Sequence, residues 1–129
     1  MESFDTSYEA CALREANEEV GLDIELIEVV GHLTPLYIPV SLFQVYPIVA
    51  WTDSPLSFEA DPSEVARIIT FPIEDILGPD LILCSDHQVR PGLTLRDVLH
   101  FSIEDTFVWG ATAMILNELK MVLDRVQIP

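Results

Sequence analysis

Residues 6–22, TSYEACALREANEEVGL, constrain this chain more than any other stretch, because both ends of a helix are written into them. Thr6 and Glu9 stand in the S/T-x-x-E spacing of a capping box, which predicts a helix beginning near Ser7. Gly21, directly after Val20, supplies a residue that takes a left-handed C-cap at little steric cost. The predicted helix, 7–20, has an ordinary length for a globular protein. Cys11, Leu13 and Val20 are its apolar contacts, while Ala10, Ala12 and Ala16 let a neighbouring backbone come close.

Into this helix the sequence crowds Glu15, Glu18 and Glu19, whose spacing of three and four projects them from one side. Each like-charged pair at that spacing destabilises an isolated helix by roughly 0.2–0.5 kcal/mol, and negative charge fits poorly near a C-terminus. A hard, oxygen-seeking cation such as Mg²⁺ or Mn²⁺ would remove that cost. A solvated acidic face would tolerate it without any ligand. Arg14, directly before Glu15 and four residues before Glu18, is a cation able to orient these acids without neutralising all of them.

The run REANEEVGL resembles the R-E-U-x-E-E-x-G-U core (U aliphatic) of the Nudix box, with Arg14, Glu15, Ala16, Glu18, Glu19, Gly21 and Leu22 in register. Nudix proteins hydrolyse nucleoside diphosphates linked to another moiety. The resemblance therefore implies a metal-dependent pyrophosphohydrolase of α+β class: an α-β-α sandwich with a mixed sheet. Glu18 and Glu19 are then the direct ligands of Mg²⁺ or Mn²⁺, and Glu15 is a further ligand or the base that takes the water's proton. Arg14 orients the glutamates rather than touching substrate.

The family's box opens with a Gly-rich segment ahead of the helix, whereas here no glycine precedes Gly21. Asp5 lies one residue further from Arg14 than the general pattern has it, a spacing similar to the coenzyme A pyrophosphatase branch. GHLTPLYIPVSLFQVYPIVAW, residues 31–51, and FVWGATAMILNELKMVL, residues 107–123, resemble the segment after the box and the closing helix of that branch. The resemblance runs from about residue 2 to 125 and implies a single, N-terminally truncated Nudix domain over 1–129, with coenzyme A or a related nucleoside diphosphate derivative as substrate. The chain is then expected to turn over far more slowly than a parent carrying the first strands.

Composition bounds the partners. Half of the residues are apolar, enough for a sizeable core in one domain. With 6 basic against 22 acidic residues and a formal charge of -16, the chain lacks the basic stripe that nucleic acid or an anionic membrane needs. A phosphate-bearing ligand must then rely on bound metal and a few local cations. No apolar run is long enough to span a membrane and no signal-peptide plan opens the chain, so a cytoplasmic location is expected. Cys11 and Cys84 have no CxxC partner, and His32, His87 and His100 are scattered, which gives no zinc pattern. Cys11 reads as a small buried hydrophobe.

Beyond the first helix, strands are expected near 24–33 and 42–51, then a Pro/Asp/Ser loop, then a strand at about 64–71. Pro72 opens a short helix, PIEDIL. Segments near 80–86 and 94–102 read as strands or a hairpin around RPGLT, and a last helix is expected from Thr106 to Arg125. Its apolar stripe would comprise Phe107, Ala111, Met114, Ile115, Leu119 and Val122, with Trp109 on the same core side. Glu64, ahead of VARII, is a candidate late metal contact or pocket residue, or else a solubilising charge at a strand edge. Tyr37 could stack on a base, line the substrate path, or pack in the core. Strand edges beside VYPIVAW or ARIITF would favour a homodimer. Two other functions stay open: a Nudix module that binds without turnover, and an unrelated acidic interaction domain.

Overall fold

In the computed structural model, which describes residues 1–79 and 81–126, Ser7 rather than Thr6 caps the first helix. Ser7 is extended (φ −157°, ψ 170°), and its hydroxyl oxygen accepts the backbone N–H of Ala10 at 3.1 Å. Helix α1 therefore runs Tyr8–Val20. Gly21 closes it at φ 66°, its N–H donating to the Asn17 carbonyl at 2.9 Å. The chain divides into two compact units, Met1–Ile69 and Thr70–Pro129.

In the first unit, the strand expected at 24–33 begins late because Asp23 caps a 3-10 turn, Ile24–Leu26, its carboxylate accepting from Glu25 N–H at 3.1 Å. Strand β1 spans Glu28–His32 and pairs antiparallel with β4, Ile48–Trp51, with a bulge between Val29 and Gly31. A hairpin of β2, Leu36–Ile38, and β3, Phe43–Val45, lies between them in sequence. The expected strand 42–51 is thus split: Pro47 has no N–H for a ladder, and its carbonyl accepts from Leu33 N–H at 3.0 Å. No strand forms at 64–71. Asp61 starts a turn there, accepting from Ser63 N–H (2.8 Å) and Oγ–H (2.6 Å), and the residues after it run without a ladder partner among the described residues. The edge foreseen at ARIITF is therefore absent. In β4 the predicted edge at VYPIVAW exists, since β4 pairs only with β1 among the described residues.

The second unit is built on a three-stranded antiparallel meander. The strand expected near 80–86 starts at Asp80, which lies outside the described residues, and β5 runs Leu83–Arg90. The Pro91–Gly92 turn, with Gly92 at φ 80°, joins it to β6, Leu93–Ile103. Strand β7, Thr106–Trp109, then folds back through Glu104 and Asp105, both at positive φ (48° and 59°), the conformation of a two-residue type I′ hairpin. The last helix begins only at Gly110 and runs to Arg125 as α3; a shorter α2, Glu74–Leu77, precedes the meander. Thr106–Trp109 leave the expected helix because Thr, Phe, Val and Trp favour a pleated surface and find His100–Ile103 to pair with, while Gly110 at φ 63° breaks the direction. Phe107 and Trp109 accordingly belong to a strand, and on α3 Ala113 is buried while Met114 and Val122 are exposed.

Ile76, Phe101, Ile103 and Ala113 make the core of this unit, joined by a buried His100. His100 and His87 both stack on Phe107, with ring centroids 3.9 Å and 4.2 Å away. In the first unit Cys11 and Leu33 are buried, Cys11 as expected. The α+β class stands, and every described ladder is antiparallel, so the mixed sheet implied by the resemblance is not among the described pairings. Among the described residues no helix is long and apolar enough to cross a membrane.

Candidate metal centre

The C-terminal half of α1 is sealed by the chain that passes behind it. Glu59 N–H donates to the Val20 carbonyl at 2.8 Å and Asp61 N–H to the Glu19 carbonyl at 2.7 Å, satisfying carbonyls that a helix end leaves without intrahelical partners. A Cβ on Gly21 would lie 3.2 Å from the Glu59 backbone nitrogen, so both its conformation and the close approach call for glycine. The end of the helix that carries Glu18 and Glu19 is fixed in place by this contact.

Arg14 organises the acids. Its Nε and Nη2 donate to the two carboxylate oxygens of Asp5 at 2.9 and 3.0 Å, a two-pronged pairing that fixes the plane of the guanidinium. Its Nη1 then donates to Glu18 at 2.8 Å, and its Nη2 stands 3.5 Å from Glu15. The Phe4 ring covers the guanidinium, 5.4 Å from centroid to carbon. The Asp5 side chain is only 3% exposed, and the Arg14 fork holds its carboxyl well below the usual carboxylate range. The same bonds raise Arg14 above its ordinary value. Cys11, whose thiol is pushed up by burial first and by Asp5 and Glu15 next, donates from Sγ to Glu15 at 3.5 Å.

Glu15 and Glu18 are 51% and 59% exposed, and Glu19 is exposed beside them. The spacing thus brings Arg14, Glu15 and Glu18 together, as read from the sequence. Among the described residues, however, no three His, Cys, Asp or Glu side chains converge into a finished ligand set. The chemistry of the donors still fits a hard divalent cation: accessible carboxylates on one helix face, with the one neighbouring guanidinium already committed to Asp5.

Glu64 sits in the turn that follows Asp61, its N–H donating to the Asp61 carbonyl at 3.1 Å, rather than at the head of a strand. Because Asp61 itself bonds to the Glu19 carbonyl, this turn is anchored at the acidic end of α1. Tyr37 lies on β2 opposite Gln44 and is 52% exposed, which removes core packing as its role. Asp5 and Phe4 are the residues that the sequence reading left without a role. Asp5 stood at box spacing from Arg14, and that was its signal; Phe4 carried none.

A family model described as NUDIX domain matches residues 1–90. The chain is 37% identical over 121 residues to a protein named uncharacterized Nudix hydrolase NudL from Enterobacter sp. (strain 638), an alignment covering 94% of this chain and 62% of that one. NudL proteins of the same name from Citrobacter koseri and Salmonella newport are 38% and 37% identical over 124 residues, with the same coverage of each chain. The chain thus spans less than two thirds of the length of the curated relatives it matches. Its capped glutamate helix falls within the matched region, and more than a third of the aligned residues are shared with those relatives, so the chain belongs to the Nudix family.

Proposed function

We propose that this chain carries the metal-binding centre of a pyrophosphohydrolase that cleaves the phosphoanhydride of coenzyme A, giving 4′-phosphopantetheine and adenosine 3′,5′-bisphosphate. The observation that carries the reading is the Asp5–Arg14–Glu18 network on a helix capped at both ends, which spends a cation on orienting acids rather than on neutralising them. Bound Mg²⁺ or Mn²⁺ would supply charge neutralisation at the phosphate oxygens and lower the pKa of a water. Glu18 and Glu19 would hold the cation, and Glu15 would either complete its ligand set or take the proton of the attacking water. That water's oxygen forms the new bond to phosphorus as the anhydride P–O bond breaks. Arg14, pinned by Asp5, sets the directions of Glu15 and Glu18, and Glu64 contributes from the turn at the end of α1. The relatives' name, Nudix hydrolase, supports the reaction class, and the resemblance of the sequence at residues 31–51 and 107–123 to the coenzyme A branch supports the substrate.

Incubation of the chain with coenzyme A and Mg²⁺ or Mn²⁺, followed by chromatography of both products, tests this. Glu18→Gln removes one charge with little change of shape and should lower turnover by about 10²–10³-fold while the fold persists, the size of effect known for deleting a single electrostatic contact in a transition state. An unchanged rate in Glu18→Gln sinks the mechanism. Cleavage of ADP-ribose with coenzyme A ignored sinks only the substrate. A second reading, a Nudix module that binds metal without turnover, is favoured by the lack of a converged ligand set among the described residues. Metal binding with no cleavage of any nucleoside diphosphate derivative would establish it.

A further inference from the structure

The first unit contains a cavity of about 380 Å³ beside the glutamate helix, lined by Tyr8, Cys11, Glu15, Phe43, Gln44 and Tyr46 among others. Its size falls within the range of small-molecule sites. Glu15 places one wall at the candidate metal centre, and the Cys11 thiol donates to that carboxylate from the same lining. Three of the remaining lining residues, Tyr8, Phe43 and Tyr46, are aromatic. Tyr8 and Tyr46 stack with ring centroids 3.7 Å apart and planes 11° from parallel, which ties the first turn of α1 to the chain just after β3. Phe43, on β3, is 68% exposed, a degree of exposure that leaves a large apolar ring in water unless something covers it.

Charge decides what can enter. Among the described residues lining the cavity there is no Lys, Arg or His, and the one ionised side chain is that of Glu15. In a chain of formal charge -16, an anionic phosphate would find repulsion there and no cationic side chain to offset it. The cavity therefore suits the uncharged part of the substrate better than its phosphates, and the rings of Tyr8, Phe43 and Tyr46 favour a flat one. We propose that this cavity is the base pocket of the chain: the substrate's purine stacks on Phe43 beside the Tyr8–Tyr46 pair, and the diphosphate extends past Glu15 toward Glu18 and Glu19. Gln44, whose carboxamide both donates and accepts, reads the edge of the base. The choice of a purine and the placement of the diphosphate rest on the function proposed above, whereas the binding test below is read without turnover.

The test uses uncharged probes so that the field of the protein does not mask the contact. Adenosine and pantetheine, the neutral cores of the two halves of coenzyme A, are offered separately to the intact chain, and saturation transfer from protein to ligand is read by NMR. Saturation of adenine H2 and H8, with adenosine bound more tightly than pantetheine, is the expected result. Phe43→Ala should weaken adenosine by about tenfold, as loss of one base–aromatic stack does, and Phe43→Trp should restore it. Since Phe43 is largely exposed, neither change threatens the fold. Preferential saturation of the pantetheine methyls, adenosine affinity within twofold of the parent in Phe43→Ala, or no adenosine binding at all would each overturn the pocket. None of these readouts involves turnover. An inactive chain that binds adenosine through Phe43 refutes the hydrolase and keeps the pocket, and an active one whose KM ignores Phe43→Ala does the reverse.

Discussion

Asp5 touches no other acid of the α1 face, yet the geometry of that face depends on it. The Arg14 guanidinium has five donors in a rigid plane, and with two of its nitrogens held by Asp5 the remaining corner can only present itself to Glu18. Asp5→Asn keeps the shape but loses the charge that fixes the fork. Metal affinity should fall by about 10–100-fold, the usual effect of losing a group that orients the ligands, although the three glutamates are intact. A pH signature accompanies it. The folded state lowers the Asp5 pKa, so its contribution to stability is fully present above the unfolded value near 3.9 and is lost as pH falls below it. Thermal melts between about pH 6 and 2.5 should therefore show the parent losing stability more steeply on the acid side than Asp5→Asn. Parallel curves would mean that the pairing with Arg14 adds no stability in solution.

At the scale of elements, the first helix was legible because its signals are local: a hydroxyl at the start, a glycine at the end, and acids at helical spacing. The position of the cap slipped from Thr6 to Ser7, since adjacent hydroxyls offer the same chemistry and only the extended backbone of Ser7 distinguishes them. The contact of Glu59 and Asp61 with the end of α1 could not be read, because it depends on a chain reversal about 40 residues away in sequence. Thr106–Trp109 form a strand where the sequence predicts helix for a related reason. The apolar residues of TFVW continue the period of the helix that follows, and the turn that makes them a strand uses Glu104 and Asp105 at positive φ, where Gly or Asn is the usual marker. VARII carried every local sign of a strand, but no described strand pairs with it. Of the candidate site, the grouping of Arg14 with Glu15 and Glu18 was legible from spacing while its reading as a metal centre came from the resemblance, whereas the cavity at Phe43 required the hairpin that Pro47 separates from β4. Gly21→Ala tests how far the closure of α1 matters. The substitution forces a Cβ into a left-handed residue against the Glu59 backbone, which should cost about 1–2 kcal/mol in chemical denaturation. Gly31→Ala, where a Cβ meets no atom within 4 Å, should cost less than half as much. Equal effects would show that the 59–61 contact does not constrain the helix end.

For the whole molecule, a formal charge of -16 means that any cation stabilises the chain to some degree by screening self-repulsion. A rise in melting temperature with Mg²⁺ is therefore informative only against NaCl of equal ionic strength and against Glu18→Gln combined with Glu19→Gln. A ligand at about 100 times its dissociation constant stabilises the folded state by about 2.7 kcal/mol, which corresponds to a shift of several degrees for a chain of this size. The two tryptophans make the experiment specific, because Trp51 lies on β4 in the first unit and Trp109 on β7 in the second. With Trp109→Phe, fluorescence follows the unit that holds the glutamate helix; with Trp51→Phe, it follows the other. Mg²⁺ or Mn²⁺ should move the Trp51 transition upward by more than NaCl does, and the double glutamine variant should abolish that excess. If the Trp109 transition moves by the same amount, the two units unfold as one cooperative body; if it stays, the metal acts on the first unit alone. An excess that survives in the double variant would show that the cation sits elsewhere on the acidic surface, and the assignment of Glu18 and Glu19 as ligands would fall.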